Sequence, residues 1–480
     1  MTTSEFNGKH ITVAGLGVSG VSAARALAGL GARVTVVDGG DGAALRERAR
    51  PASATTSRSG WATRKPSPEG SDLVVTSPGW RPDSPLFAAA AAAGVDVVGD
   101  VEIAWRIRGE GAPPWLAVTG TNGKTTTVRM LASILEAAGL RTAAVGNIGT
   151  PIVDVVLSQE PYDVLAVELS SYQLHWAPSV RAHSAAVLNL APDHLDWHGS
   201  MAAYAADKGR IYEGNQVACV YNTADARTEQ LVRDADVEEG CRAVGFTLGA
   251  PGLSELGVVD GILVDRAFVA DRQRNAQELA EVSDIASSPG KPTAPHNIAN
   301  ALAAAALARA FGVEPKAVRD GLRAFRPDAH RIAHVADVAG VAYVDDSKAT
   351  NTHAAEASLA SYESVVWIAG GLAKGATFDD LVARSAKRLR GAVLIGADRA
   401  LIKEALARHA PDVPVVDLDR TDTGAMTEAV REAAALAGEG DTVLMAPACA
   451  SMDMFTNYGE RGEAFAAAVR ELAAGRTTQE

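Results

Sequence analysis

The chain has 480 residues, 47% of them apolar and 21% charged, with a formal net charge of −13. That is ordinary globular composition and too long for one core, so roughly two to four domains are expected. The acidic balance argues against sequence-independent nucleic-acid binding, and no uncharged apolar run reaches the roughly 18 residues of a membrane span.

In chain order, the first unit reads strand, helix, strand, over residues 11–14, 21–30 and 33–37, ending at Asp38. Between the first two lies Gly15-Leu16-Gly17-Val18-Ser19-Gly20. This spacing, with Asp38 about twenty residues on, matches the dinucleotide fingerprint. Read alone it predicts NAD and a nicotinamide-dependent oxidoreductase. The same glycines seat any diphosphate at a helix N-terminus, and a tight turn with no ligand needs them too. Residues 51–71 are rich in Ser, Thr, Pro and Arg and read as a loop or a poorly ordered replacement for a helix. A strand returns at 72–76, followed by Ser77-Pro78-Gly79, and the alanine run 88–93 reads as a buried helix. The Gly- and Pro-bearing stretch 108–114 marks a domain boundary.

The second unit opens with an apolar run, 115–118, then Thr119-Gly120-Thr121-Asn122-Gly123-Lys124-Thr125-Thr126, then a helix over 127–138. Strand, glycine turn and helix start make an anion cradle of free N–H groups and helix dipole. Lys124 supplies a charge for the β- and γ-phosphates, and Thr125 a hydroxyl for Mg²⁺. The general P-loop places a glycine where this chain has Val118, so the generic pattern is broken. A glycine turn capping an ordinary helix is the bland alternative.

Strands near 163–167 and 186–190 end in Glu168-Leu169-Ser170-Ser171-Tyr172-Gln173 and in residues 189–196. Ligands of an open α/β sheet bind at the carboxyl ends of strands. Singly, a Glu or His at a strand end is most often solvated; three polar ends beside a phosphate loop argue for function. Thr125 and Glu168 suit Mg²⁺, and His194 suits a second ion or a substrate group. Residues 249–292 are polar and weakly periodic, with small edge strands at most. A helix over 297–311 follows His296, and a second boundary lies near 326–328.

The third unit alternates strands at 341–344, 364–368, 392–395, 413–416 and 442–445 with helices, which predicts a parallel α/β sheet. Its strand ends carry Asp345-Asp346-Ser347-Lys348-Ala349-Thr350-Asn351, then residues 370–375 with Lys374, then 448–453. Either lysine suits a carboxylate, although such lysines are more often solvated. Cys219, Cys241 and Cys449 are few, odd in number and far apart in sequence. With no apolar signal core in residues 1–10, they predict a reducing, cytoplasmic setting.

Taken together, residues 120–126, 168–173, 189–196, 206–213, 296–300, 330–331, 345–351 and 447–453 resemble the Mur ligase family over nearly the full length. Asp345–Asn351 followed by Pro447-Ala448-Cys449-Ala450-Ser451 looks like the D-glutamate-adding branch. The resemblance implies a three-domain α/β protein. Residues 1–112 would be a Rossmann-like UDP-substrate domain, 113–327 a central ATPase, and 328–480 a Rossmann-like amino-acid domain. It implies ATP and Mg²⁺ as cofactors, and UDP-N-acetylmuramoyl-L-alanine and D-glutamate as substrates of a monomeric ligase. On that reading Gly15, Gly17, Val18, Ser19, Gly20, Asp38, Ser77, Gly79, Asn147, Ser170 and Gln173 line the UDP-sugar site. Gly39 and Gly40 stand where the family often has larger polar residues. Asn297 and Asn300 would face adenine, and Arg331 and Asp346 would flank the triphosphate and ribose. Lys348, Lys374, Ser451, Met452 and Tyr458 would form the D-glutamate pocket.

The same resemblance makes Lys208 a carbamylated lysine that helps Thr125, Glu168 and His194 hold Mg²⁺. From residues alone it is a helix lysine, and most such lysines are solvated. The implied reaction activates a carboxylate with ATP as an acyl phosphate, then forms an amide. The rivals are another Mur ligase or folylpolyglutamate synthase, the NAD-dependent oxidoreductase, and a non-catalytic nucleotide-binding protein.

Overall fold

The computed structural model describes residues 5–38, 70–158, 160–285, 293–326 and 330–477. The boundary expected near 326–328, Gly39 and Gly40, and most of the 51–71 loop lie wholly or partly outside the described residues. The chain packs as two compact units. The first takes in residues up to 190, 197–285 and 297–325; the second takes in 191–196, the segment ending at 296, and 326 onward. No helix among the described residues is long and apolar enough to cross a membrane.

The first unit holds two sheets. One is four-stranded and parallel, in the order β2 (Arg33–Val37), β1 (His10–Ala14), β3 (Leu73–Thr76), β4 (Val97–Gly99). Helices Val18–Gly29, Pro85–Ala92 and Asp100–Ile107 complete its β-α units. The alanine run is not buried throughout: Leu86, Phe87 and Ala90 face inward while Ala88, Ala91 and Ala92 are exposed. Helical spacing puts only one side of the run against the sheet, and alanine is tolerated on the other.

The other sheet has nine strands: β5 (Trp115–Thr119), β6 (Thr142–Gly146), β7 (Val164–Glu168), β8 (Ser184–Val187), β9 (Ala218–Asn222), β10 (Arg242–Phe246), β11 (Glu255–Val259), β12 (Ile262–Asp265) and β13 (Gln277–Glu281). Their order is β13-β12-β11-β10-β9-β8-β5-β7-β6, parallel from β11 to β6 and antiparallel at β12 and β13. The weakly periodic region after residue 249 is therefore a real three-strand extension. Its alternation is faint because it forms the sheet edge. From β5 the chain runs to one side (β6, β7) and then crosses to the other (β8), so β5 stands at the topological switch point where such sheets bind ligands. One apolar core runs through both sheets, from Ile11, Val13 and Val75 to Trp115, Leu165 and Val187. Strand pairing also brings Cys219 and Cys241, distant in sequence, to an Sγ–Sγ distance of 3.9 Å as free thiols.

The second unit holds one sheet, β14 (Ala333–Val338), β15 (Val341–Asp345), β16 (Val365–Gly370), β17 (Leu389–Ile395), β18 (Val415–Asp417) and β19 (Thr442–Met445). The order is β14-β15-β19-β16-β17-β18. It is parallel except for β14, an antiparallel edge strand the sequence pattern did not disclose. Inserting β19 between β15 and β16 sets the three loops after those strands side by side.

Candidate functional site

In the first unit the loop 120–123 leaves β5 between the ends of β7 and β8. Gly123 has φ +87°, and a Cβ there would stand 2.4 Å from Asn300 Oδ1, so only glycine lets helix Pro295–Ala310 approach. Asn189 shapes the loop from β8. Its Oδ1 accepts from Asn122 N at 2.9 Å, its Nδ2 donates to Asn122 O at 3.0 Å, and its carbonyl accepts from Thr121 N at 3.0 Å. Helix Lys124–Ala137 has no side-chain cap, so its first turn presents backbone N–H groups suited to an anion. Lys124 Nζ folds onto the carbonyls of Gly120 (2.8 Å) and Thr121 (2.9 Å). Thr125 and Thr126 are buried, and Asn300 Nδ2 reaches Asn297 Oδ1 at 3.5 Å.

Glu168 ends β7 and is 1% exposed. Asn147 donates to its Oε1 at 2.9 Å, while Oε2 is buried with no hydrogen-bond partner. A buried carboxylate oxygen left without a donor is a costly arrangement, and a bound cation would satisfy it. Lys208, 2% exposed, donates to Gly120 O at 2.8 Å and Thr119 Oγ1 at 3.3 Å. Among the described residues, no three or more His, Cys, Asp and Glu side chains group as a metal site. The expected donors include only one native carboxylate, which suits an ion that keeps several waters. Ser170 and Gln173 cap a short helix reciprocally, Gln173 N to Ser170 Oγ at 3.2 Å and Ser170 N to Gln173 Oε1 at 3.0 Å.

The glycine loop after β1 is tight. Gly15 has φ +99°, and a Cβ on Gly20 would stand 2.0 Å from Gly15 O. Asp38 Oδ2 accepts from Leu16 N at 2.7 Å, so the acid of the fingerprint holds the loop itself. Ser77 Oγ is buried beside Gly15 and Gly20 with no hydrogen-bond partner. Val18 is 73% exposed at the first turn of the following helix. Asp100, which no sequence motif marks, is buried near Ser19, and burial pushes its carboxyl up.

The second unit carries the remaining residues. His194 has φ +54°, with Nε2 3.5 Å from Asp193 Oδ2, and Asn351 Nδ2 donates to that Asp193 oxygen at 3.2 Å. His296 is pushed down to about 4 by burial, with the nearby Arg331 charge adding to the effect. Asp346 is buried, accepting from Ile332 N at 3.3 Å and from Ser358 Oγ. Burial raises its carboxyl to about 6. In this structure it braces its loop from within.

Lys348 lies over the Tyr458 ring at 5.3 Å. Leu372 and Ala450 exchange backbone hydrogen bonds of 2.9 Å, tying the Lys374 loop to the Ser451 loop. Lys374 and Met452 are exposed, whereas Ser451 is buried. Arg461, 1% exposed, donates to Ser347 O at 2.9 Å and to Cys449 O at 3.2 Å, clamping two of the three loops. A helix arginine gives no sequence signal of such a role, because arginine is ordinarily solvated.

Comparison with known proteins gives three domain matches: "MurD-like, N-terminal domain" of the Mur ligases at 9–99, "Mur ligase middle domain" at 118–308, and "Mur ligase, glutamate ligase domain" at 330–449. A UDP-N-acetylmuramoylalanine--D-glutamate ligase of Streptomyces coelicolor is 76% identical over 478 residues, covering 98% of this chain and 100% of the relative. The protein of that name from Thermobifida fusca is 59% identical over 471 residues, with the same coverage. Among solved structures, the UDP-N-acetylmuramate-alanine ligase MurC of Thermotoga maritima aligns with a TM-score of 0.55 at 16% identity, covering 96% of this chain and 99% of that one. That last match is a likeness of fold.

Proposed function

The chain belongs to the Mur ligase family, and on that premise we propose that it is an ATP-dependent ligase that joins D-glutamate to UDP-N-acetylmuramoyl-L-alanine in peptidoglycan precursor synthesis. The observation that carries the reading is the full-length 76% identity to a relative bearing that name. The loop 120–123 at the switch point supports ATP as the energy source. The fingerprint acid Asp38, engaged by Leu16 N, weighs against the nicotinamide reading. Free cysteines fit a reducing cytoplasm, and one chain carrying every expected site residue fits a monomer.

The alanyl carboxylate attacks the γ-phosphorus and ADP leaves, giving an acyl phosphate. The D-glutamate amine then attacks the acyl carbon; phosphate leaves, and the amine proton is lost. The first step brings anion to anion, a repulsion of about 4 kcal/mol per pair of unit charges at 4 Å in a surface-like dielectric. Lys124 and the uncapped N–H groups at the start of helix Lys124–Ala137 face that charge, and fixed donors of this kind act without reorganisation.

Mg²⁺ would be held by Thr125, Glu168 and carbamylated Lys208, with His194 for a second ion or a substrate group, and would neutralise phosphate charge. The bare Oε2 of Glu168 supports that assignment. Carbamate formation joins the neutral Lys208 amine to CO₂, with one proton released to solvent. Asn297 and Asn300 take adenine, and Arg331 and the Asp346 loop take the triphosphate and ribose end. Gly15, Gly17, Val18, Ser19, Gly20, Asp38, Ser77, Gly79, Asn147, Ser170 and Gln173 serve the UDP-sugar. Lys348 and Lys374 receive the D-glutamate carboxylates, with Ser451, Met452 and Tyr458 around them.

The test is phosphate release from ATP with UDP-N-acetylmuramoyl-L-alanine, screened against D-glutamate, L-alanine, meso-diaminopimelate and L-lysine. Release that depends on D-glutamate alone is expected. Equal release with another amino acid, or release independent of any, overturns the assignment.

A further inference from the structure

We propose that Asp207 is a positioning residue for this reaction, fixing Lys208 against the phosphate loop through His175 and His198. The proposal rests on the reading of Lys208 given above and adds what holds it in place.

Asp207 precedes Lys208 on helix Met201–Gly209 and is itself buried. His175 Nδ1 donates to its Oδ1 at 2.9 Å and His198 Nδ1 donates to its Oδ2 at 2.8 Å. Arg210 Nε stands 3.5 Å from Oδ1. His198 Nε2 in turn meets Ser171 Oγ at 2.9 Å. His175 and Ser171 both belong to the short helix that follows Glu168. One carboxylate therefore ties the segment after Glu168, the segment at His198 and the helix bearing Lys208. The two imidazole hydrogen bonds give the buried carboxylate two fixed donors, one on each oxygen.

The rings are packed as well as bonded. Tyr172 stacks on His198 with ring centroids 5.6 Å apart, His175 meets Trp197 edge-on at 5.1 Å, and His198 meets Tyr204 edge-on at 5.2 Å. Tyr204 continues the chain toward the site, with its hydroxyl 2.9 Å from Thr121 Oγ1 and Lys208 Nζ 4.8 Å above its ring. Successive helix residues differ by about 100° around the axis, so anchoring Asp207 on its histidines sets the direction in which Lys208 leaves the helix. That direction leads to Gly120 O. Supports of this type around a metal ligand are worth about 10- to 100-fold in affinity or activity.

The test is Asp207→Asn in the full chain. Asparagine keeps the size but offers one acceptor in place of two, so one histidine must change tautomer or lose its bond. The expected result is an apparent KM for Mg²⁺ raised about tenfold or more, with KM for D-glutamate within about twofold of wild type. Carbon-13 NMR of protein equilibrated with labelled bicarbonate, without turnover, is expected to show a weakened carbamate signal. Asp207→Glu, which restores the carboxylate, is expected to recover part of both. If Asp207→Asn does not fold, His175→Gln, which loses one of the two bonds, is measured in its place. Unchanged Mg²⁺ dependence and unchanged carbamate signal in the folded variant overturn the proposal. A wild-type chain with no carbamate signal overturns the Lys208 reading instead, and this proposal with it.

Discussion

Lys124 and Lys208 donate to the same acceptor, the carbonyl oxygen of Gly120, each at 2.8 Å. One is in the phosphate loop's own helix and the other comes from a helix more than eighty residues later. On the proposed function, Lys208 becomes the carbamate and Lys124 is the amine that turns to the arriving phosphate. Phosphate oxygens offer Lys124 a better partner than the two loop carbonyls it now holds. Lys124→Ala is therefore expected to lower kcat for D-glutamate-dependent phosphate release by about 10²–10³-fold. Affinity for the UDP-substrate, read by calorimetry, is expected to survive. Normal phosphate release in that variant would remove the phosphate loop from the mechanism.

Lys208 makes a different prediction. Its amine is buried beside the Tyr204 ring, where arginine keeps the charge but has no amine to carbamylate. Lys208→Arg is expected to bind nucleotide and to lose at least about 10²-fold in Mg²⁺-dependent turnover, the size of effect seen when a group aimed at developing charge is removed. A titration of initial rate against Mg²⁺ reads this directly. Wild-type turnover there refutes the carbamate.

The first glycine loop separates two glycines cleanly. A Cβ on Gly20 would meet Gly15 O at 2.0 Å, whereas a Cβ on Gly17 meets nothing within 4 Å. Gly20→Ala must open the loop that Asp38 and Ser77 border, and is expected to weaken UDP-substrate binding at least about tenfold, one misplaced contact's worth. Gly17→Ala is expected to stay within about threefold, and ADP affinity is expected to be untouched in both. Equal behaviour of the two variants would dissociate this loop from the substrate.

Much of this was legible in the chain. The order strand, glycine turn, helix located the phosphate loop, and the position of Val118 marked it as other than the generic version. Glu168 and Asn189 followed from the rule that ligands gather at the carboxyl ends of parallel strands, and β7 and β8 do flank β5. Local patterns do not reach further than that. The His175–Asp207–His198 cluster joins residues up to 32 positions apart through strand order and side-chain direction, neither of which periodicity encodes. Arg461 bonds Ser347 from 114 residues away. The edge strand β14 was missed because one face of it is open and its apolar alternation is weak. Asp38 shows why the glycine pattern read alone does not settle the ligand: a carboxylate at that spacing can hold a ribose or, as here, the Leu16 amide.

Asp346 sets stability against use. Burial raises its carboxyl from 3.8 to about 6, so the folded chain binds that proton more tightly than the unfolded chain does. The sign follows from linkage: the folded state is favoured while the group is protonated, and that advantage is lost as pH rises from the unfolded value through about 6. At neutral pH the ionised form then costs about 3 kcal/mol, from roughly two pKa units at 1.36 kcal/mol each. Asparagine keeps one acceptor for Ile332 N, turns an NH₂ donor toward Ser358 Oγ, whose hydroxyl can accept it while donating to Ala354 O, and carries no charge. Asp346→Asn is therefore expected to raise the melting temperature at pH 7.5 and to lose most of that gain at pH 4, where wild-type Asp346 is protonated when folded. ATP-dependent turnover is expected to fall at least about tenfold at the same time, the trade common where a strained acid serves a site. A melting difference that is the same at both pH values would show that the buried carboxyl does not titrate with folding.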